Sequence, residues 1–387
     1  MSSNAASANH VPDLLYSQVE EDLRASVRSL LSDRSPWSAV LARCESDQVY
    51  DTELWRMLAS GLGCAGLAVP EKHGGEGASW REVAVVAEEL GRAVTPTPFL
   101  TSAVIATACV LELDDADLVE RLATGRGAVA LAVPLSTGPY FAGPGTPFPA
   151  TVTADELDHL TGRITSVADA GFADLLLIPA MAPDGPALFA VEAVTSGLTR
   201  NAVVCLDLTR PLHDVTLVDV PARRLALGDQ AAAALARALT VGAAMLASEQ
   251  LGVAQACLDL TVDYLKTRTQ FGRLIGSYQA LKHRAADLWA SVTQARAVAR
   301  YAAACVADDD PDTPVAVALA QAYCSGVAVR AAEECVQLHG GIGFTWEHPA
   351  HLYLKRAKSA SLALGTAARH RAALGRLVDL PAAAQPE

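Results

Sequence analysis

Apolar residues along this 387-residue chain recur with two different periods, and the change of period divides it. From about residue 13 to 124, Leu, Val and Ala return at helical spacing among interleaved acids and bases, which predicts helices. The loop at 70–77, Pro-Glu-Lys-His-Gly-Gly-Glu-Gly, interrupts them, because clustered glycines stop a helix and invite close backbone approach. The next helix is expected to start at Ser79: Ser79 and Glu82 fit a capping box, and Val83, Val86 and Leu90 continue the apolar face. Between about 126 and 221 the pattern shortens. Apolar runs at 128–133, 175–178, 187–191 and 215–220 are separated by Pro, Gly and Asp clusters, which predicts a small β domain. Several of those runs are continuous rather than alternating, so part of the sheet should be covered on both faces.

Beyond Gly228 the helical period returns to about residue 375. Val253, Cys257, Leu260 and Tyr264 form one seam, and Leu281, Ala285, Leu288, Val292, Ala295 and Ala299 another, the signature of an antiparallel helix bundle. The break at 308–314 places Thr313 as N-cap and Pro314 at the first helical position, while Gly340 and Gly341 stop the third long helix. Residues past about 381 read as a frayed tail. The expected architecture is mostly α with a central β domain: 1–125 helical, 126–222 β, 223–387 helical bundle.

Composition narrows the function. With 51% hydrophobic and 19% charged residues the chain can bury a large interior, and a formal charge of −13 argues against nucleic acid as the main partner. The eight cysteines are widely spaced with no C-x-x-C pair, as in reduced core residues of a cytoplasmic protein. The first twelve residues are polar and no uninterrupted apolar run reaches about 18 residues, so neither an export leader nor membrane insertion is expected. His348 and His351 have ligand-like spacing, but no Cys or paired carboxylate completes a set, and no metal is expected. Against the overall acidity, one stretch is basic. Lys266, Arg268, Arg273, Lys282, His283 and Arg284 fall within twenty positions between helical runs, which points to an anion bound between helices.

That stretch also carries a resemblance. Arg268-x-x-Phe271-Gly272-x-x-Ile275, together with Gln337-x-x-Gly340-Gly341-x-Gly343-Phe344, the segment 62–75, Glu88-Glu-Leu-Gly91 and Lys355-Arg-Ala-Lys358, resembles the acyl-CoA dehydrogenase family over nearly the whole chain, in an actinobacterial-type form. The resemblance implies FAD as cofactor and oxidation of the Cα–Cβ bond of an acyl-CoA thioester, with a carboxylate taking the α-proton and the flavin accepting hydride. It implies that Arg268, Phe271, Gln337 and Gly341 contact the ADP part of a flavin seated in a neighbouring subunit. Arg268 offers a fork for pyrophosphate, Gln279 an amide, and Gly340 and Gly341 a backbone without Cβ. Thr366 is expected to touch the cofactor as well.

The departures are as specific as the matches. Where the family commonly has Glu before a Gly-Thr pair, Gly365-Thr366 is preceded by Leu364; where another branch has its Glu, this chain has Gly242. No clear counterpart of the family's E-P-x-A-G-S-D segment appears at 134–144, and its flavin-facing Trp-Ile-Thr is replaced by Ser166-Val167-Ala168. The expectation is therefore a non-catalytic subunit of a hetero-oligomer, lending ADP-side contacts to a second, Glu-bearing chain of the same family. Two alternatives stand beside it: a self-sufficient homo-oligomer with a relocated base, for which Glu249 and Asp287 are the candidates, and a non-redox scaffold that kept only the fold.

Overall fold

A computed structural model describes residues 13–46, 48–113, 115–141 and 147–381. The polar stretch to residue 12, the tail past 381 and part of the 134–144 segment lie outside them. Ser17 opens α1 (Gln18–Arg34) with a reciprocal capping box to Glu20. After α2 (Trp37–Cys44), Asp51 accepts from two backbone N–H groups to start α3 (Thr52–Arg56). That helix widens into a π turn, Met57–Gly61, closed by the Leu62 N–H donating to the Met57 carbonyl at 2.9 Å. Ser79 then caps α4 (Trp80–Ala93) through the expected box, its N–H donating to Glu82 at 2.9 Å. A π-helical segment, Phe99–Ala106, leads into α5 (Thr107–Leu111), and α6 (Ala116–Ala123) ends the helical part.

The sheet that follows has eight strands: β1 (Val129–Leu131), β2 (Val152–Ala154), β3 (His159–Ala168), β4 (Leu175–Ala182), β5 (Gly185–Glu192), β6 (Leu198–Val203), β7 (Leu212–Pro221) and β8 (Arg223–Leu227). Their order is β6-β7-β3-β2-β4-β5-β8, with β1 parallel to β4. The four apolar runs of the sequence are β1, β4, β5 and β7; the half-polar β2, β3, β6 and β8 join them. Along β4 the side chains part by turns. Leu175 and Leu177 enter the core shared with the helices, while Leu176 and Ile178 pack with Leu160, Ile164, Phe189 and Val215 on the opposite face. Burial on both sides is what a continuous apolar strand requires.

The bundle is built on α7 (Gly228–Thr267), 40 residues long. A two-stranded hairpin, β9 (Thr269–Gln270) and β10 (Arg273–Leu274), joins it to α8 (Gln279–Ala307), followed by α9 (Thr313–His339), α10 (Ala350–Ala360) and α11 (Ala367–Leu377). α7 crosses α4 backbone to backbone: a Cβ on Gly252 would lie 1.9 Å from the Glu88 carbonyl oxygen, and one on Gly91 2.1 Å from that of Glu249. Both α7 and α9 are long and apolar enough to cross a membrane. Their apolar windows are nevertheless 72% and 61% buried inside the protein, as core helices are. The start of α9 corrects one expectation. Asp312, not Thr313, holds the N-cap position, because Thr313 is already helical and its hydroxyl donates back to the Cys305 and Asp310 carbonyls.

Candidate functional site

The chain has two regions where cofactor chemistry is expected, and they differ in kind. The first is the crevice between sheet and bundle. Gly242 lies on α7 facing Leu364, in the loop between α10 and α11; a Cβ added at 242 would meet Ile105 Cγ1 at 2.7 Å and Leu364 Cδ1 at 3.2 Å. The two positions from which a base was expected thus face each other across apolar packing. The space left among Leu364, Leu239, Ile105, Thr101, Leu135 and Ala168 is about 20 Å³, room for roughly one water.

Hydrogen bonds hold this crevice shut. The Leu364 N–H donates to the Leu135 carbonyl at 2.7 Å, and the Leu364 carbonyl meets His370 Nε2 at 3.0 Å. A carbonyl can only accept, so Nε2 carries the proton; Nδ1 is then the acceptor for the Tyr140 hydroxyl at 2.7 Å. Burial pushes the His370 imidazole down to about 4, against the bonds to Leu364 and Gly365 that favour its charged form. Leu364 itself sits in the left-handed region at φ 52°. Thr366, expected at the cofactor, caps α11 by accepting the Arg369 N–H.

Glu249 is buried at the junction of the bundle with the β6–β7 connection. Arg210 donates to its Oε2 at 2.5 Å and Arg356 Nε to its Oε1 at 2.8 Å, and Arg356 Nη1 reaches the Thr209 hydroxyl at 2.9 Å. Burial raises the Glu249 carboxyl, but the two guanidiniums outweigh it and hold it below the usual range. A carboxylate so held is a poor proton acceptor. Asp287 is exposed on α8. An acid to which the sequence reading gave no role, Asp169, lies beside the crevice at φ 57° and accepts from the Tyr50 and Thr101 hydroxyls. Burial raises its pKa despite those bonds. The turn-like Asp169-Ala170-Gly171 was its only local sign.

The second region is the end of the bundle where α7 and α9 finish. Tyr264, one turn before the end of α7, and His339, the last residue of α9, stack with centroids 4.5 Å apart and bring the two termini together. Arg268 is exposed at the C-cap of α7 and has no hydrogen-bonded or ion-paired side-chain partner among the described residues. The hairpin turns on Phe271 and Gly272, both at positive φ (51° and 74°), the conformation of a type I′ turn. Phe271 is 91% exposed at its tip. Gln279, the first residue of α8, is exposed; no side chain caps that helix, and while the Leu281 and Lys282 N–H groups donate to the Tyr278 carbonyl, those of Gln279 and Ala280 have no partner among the described residues. Gln337 is exposed too, and a Cβ on Gly340 or Gly341 would touch nothing. Arg273 is spent on the Tyr278 ring at 3.8 Å and Arg284 on Glu334. This end therefore gathers Arg268, Phe271, Gln279, Gln337, Gly340 and Gly341, while Thr366 stays with the crevice.

Family models for the acyl-CoA dehydrogenase N-terminal domain match residues 17–117 and for its C-terminal domain residues 232–378. The chain belongs to the acyl-CoA dehydrogenase family. It is 36% identical to acyl-CoA dehydrogenase IpdE2 of Mycolicibacterium smegmatis, over 90% of this chain and 95% of that one. Among solved structures it is similar to the Tcur3481–Tcur3483 steroid ACAD (32% identity, TM-score 0.82, covering 95% and 99%) and to the ChsE4–ChsE5 complex from Mycobacterium tuberculosis (29%, 0.83, 96% and 100%). Acyl-CoA dehydrogenases are FAD-dependent oxidoreductases acting on CH–CH bonds. In this acyl-CoA dehydrogenase the bundle end fits the ADP half of FAD: unpaired donors, an exposed ring and open glycine backbone. The crevice does not fit an isoalloxazine, since the described residues leave about 20 Å³ there.

Proposed function

We propose that this chain is the non-catalytic subunit of a hetero-oligomeric acyl-CoA dehydrogenase, working in the cytoplasm with a second chain of the same family that carries the catalytic Glu. The observation that carries this reading is the meeting of Gly242 and Leu364 across Ile105, which leaves no proton acceptor at either expected position. FAD, when bound, supplies the hydride acceptor for the acyl-CoA Cβ. Around it this chain has a holding role. Arg268 provides two parallel donors for pyrophosphate, the α8 N-terminus adds backbone donors, and Phe271 shields the nucleotide from water. Gln337 and the Gly340–Gly341 backbone would hold it as well. The α-proton passes to the partner's carboxylate.

The similarity to a two-chain complex and to a steroid ACAD supports the heteromeric reading and makes a ring-bearing acyl-CoA thioester the first substrate to try. The self-sufficient alternative loses support at both candidate bases, Glu249 being held by two arginines and Asp287 lying exposed. The test is purification of the chain alone and together with a Glu-bearing family member. Colourless, inactive protein alone and a yellow, active complex together are expected. A yellow homo-oligomer with one FAD per subunit and turnover of its own overturns the proposal.

A further inference from the structure

Away from both regions, a groove runs along the seam between the N-terminal helices and the sheet. Its larger arm, about 900 Å³, lies between the α2–α3 loop and the β6–β7 connection and is lined by Val49, Tyr50, Phe172, Leu208, Pro211 and Leu212. Tyr50 and Phe172 pack on each other, centroids 4.6 Å apart and tilted by 37°, as one aromatic wall, and the Tyr50 hydroxyl is fixed by Asp169. The charges at its rim are largely matched, Arg43 bonding Asp51 at 2.6 Å. A smaller arm of about 470 Å³ continues past Gly171 and Phe172, which line both, and it ends among Arg121, Arg126 and Arg200. Where the two arms meet, the His213 imidazole packs on Gly171, its Nε2 2.1 Å from where a Cβ would stand, so the space beside Gly171 is filled by that ring.

The smaller arm is cationic for a definite reason. Three arginines and two acids line it: Arg121 is neutralised by Glu192 at 2.7 Å, Asp174 accepts the Ala128 N–H at 2.9 Å, and Arg126 and Arg200 make no ion pair among the described residues, which leaves a single net positive charge. Arg200 is anchored instead: its Nη1 donates to the Ala170 and Ala173 carbonyls, both at 2.8 Å. Those bonds fix the guanidinium and leave its other N–H groups free, so little side-chain freedom is lost when an anion arrives. The nearby charge is felt: burial and Arg200 hold the His213 imidazole below its ordinary range. In a chain of formal charge −13, a net positive end to an apolar groove is a local exception. Each arm by itself, about 900 and 470 Å³, lies in the range of small-molecule sites, roughly 300–1,000 Å³.

We propose that this groove binds an amphipathic organic carboxylate, its acid group on Arg126 and Arg200 and its apolar body against the Tyr50–Phe172 wall and Leu208 and Leu212. The proposal is independent of the bundle end and of any partner subunit's cofactor. Titration calorimetry of the full chain with decanoate, 1-decanol and inorganic phosphate tests it. Decanoate is expected to bind saturably and at least about tenfold more tightly than either probe, since one charge-assisted contact is worth about that factor. Arg126→Gln, at an exposed site with no interior contact, weakens decanoate binding roughly tenfold with an unchanged melting midpoint, and adding Arg200→Gln weakens it further. Equal binding of decanol and decanoate, indifference to Arg126→Gln, or no saturable binding overturns the proposal. None of these readouts involves FAD or turnover, so they leave the heteromeric reading to its own test.

Discussion

The crevice and the bundle end are built from opposite uses of hydrogen-bonding capacity. In the crevice the Leu364 N–H is spent on the Leu135 carbonyl, and the Leu364 carbonyl, both His370 nitrogens and the Tyr140 hydroxyl on one another, while apolar side chains fill what is left. At the bundle end Arg268, Gln279 and Gln337 are exposed, and a bulky aromatic stands in water at positive φ. Satisfied groups need no ligand. Unsatisfied ones held on rigid helix ends are placed for a ligand from outside, and that difference supports reading the chain as a donor of contacts rather than the seat of the chemistry.

The comparison breaks most directly at Glu249. If this residue is an anchor, Glu249→Ala removes the carboxylate that both buried guanidiniums bond, leaving Arg356 only Asp207 at 4.0 Å, and costs about 3–5 kcal/mol, read as a large fall in melting midpoint. Were it a base, Glu249→Gln would abolish turnover of the complex and leave the midpoint alone. The pH dependence has a definite sign. The folded carboxyl lies below its ordinary 4.5, so its contribution is full above that value and is lost as the pH falls through the lower folded one.

The crevice makes the next largest prediction. His370 titrates at about 4 when folded and near 6.5 when unfolded, so the unfolded chain binds more protons between those values. Stability therefore falls as the pH drops from 6.5 to 4, by about 3 kcal/mol from this residue. His348 is also pushed down to about 4 and acts in the same window. The contribution of His370 is thus the difference between denaturation curves of the native chain and His370→Asn, and coincident pH profiles would show that the closure is not held by this imidazole.

Much of this contrast was legible along the chain, and the rest was hidden by distance. The bundle-end residues lie in two short motifs whose basic and glycine content stands out against an acidic sequence, and the capping box at Ser79 and the doubly buried β4 follow from local pattern. The strands β2, β3, β6 and β8 escaped because they carry no continuous apolar run and their alternation is short or broken; β3 also carries two irregularities in its pairing with β7. The partners of Glu249 stand 39 and 107 positions away, so an acid that looked available on α7 is in fact bound on both oxygens. Nor does any local pattern announce that Leu364 packs against Gly242. The absence of the bases was readable, but their replacement by a sealed apolar contact was a tertiary fact.

At the bundle end the expected effects are smaller and move binding rather than folding. Arg268→Ala removes a charge-assisted fork from an exposed position, so FAD retention by the complex should weaken by about 1.5–3 kcal/mol, roughly tenfold or more, with the melting midpoint of the chain alone unmoved. A loss of stability without loss of flavin would reverse the assignment and make Arg268 a helix-end residue only.

The subtlest test lies at Phe271, where stability and binding should part. A bulky residue at φ 51° with its ring in water carries local strain and buries nothing in the chain by itself. Asn tolerates the left-handed region far better and suits the first position of a type I′ turn. Phe271→Asn should therefore leave the isolated chain as stable as before, or more stable by up to about 1 kcal/mol, since the left-handed conformation costs roughly 1–2 kcal/mol for most L-residues. The same substitution should speed loss of FAD from the complex, because it removes the ring expected to cover the nucleotide. A ring kept in a strained, exposed position at some cost to its own chain makes sense only if another surface closes over it. Should Phe271→Asn destabilise the isolated chain and spare the flavin, the ring belongs to this chain's own packing, and the contrast between a closed crevice and an open bundle end loses its most exposed witness.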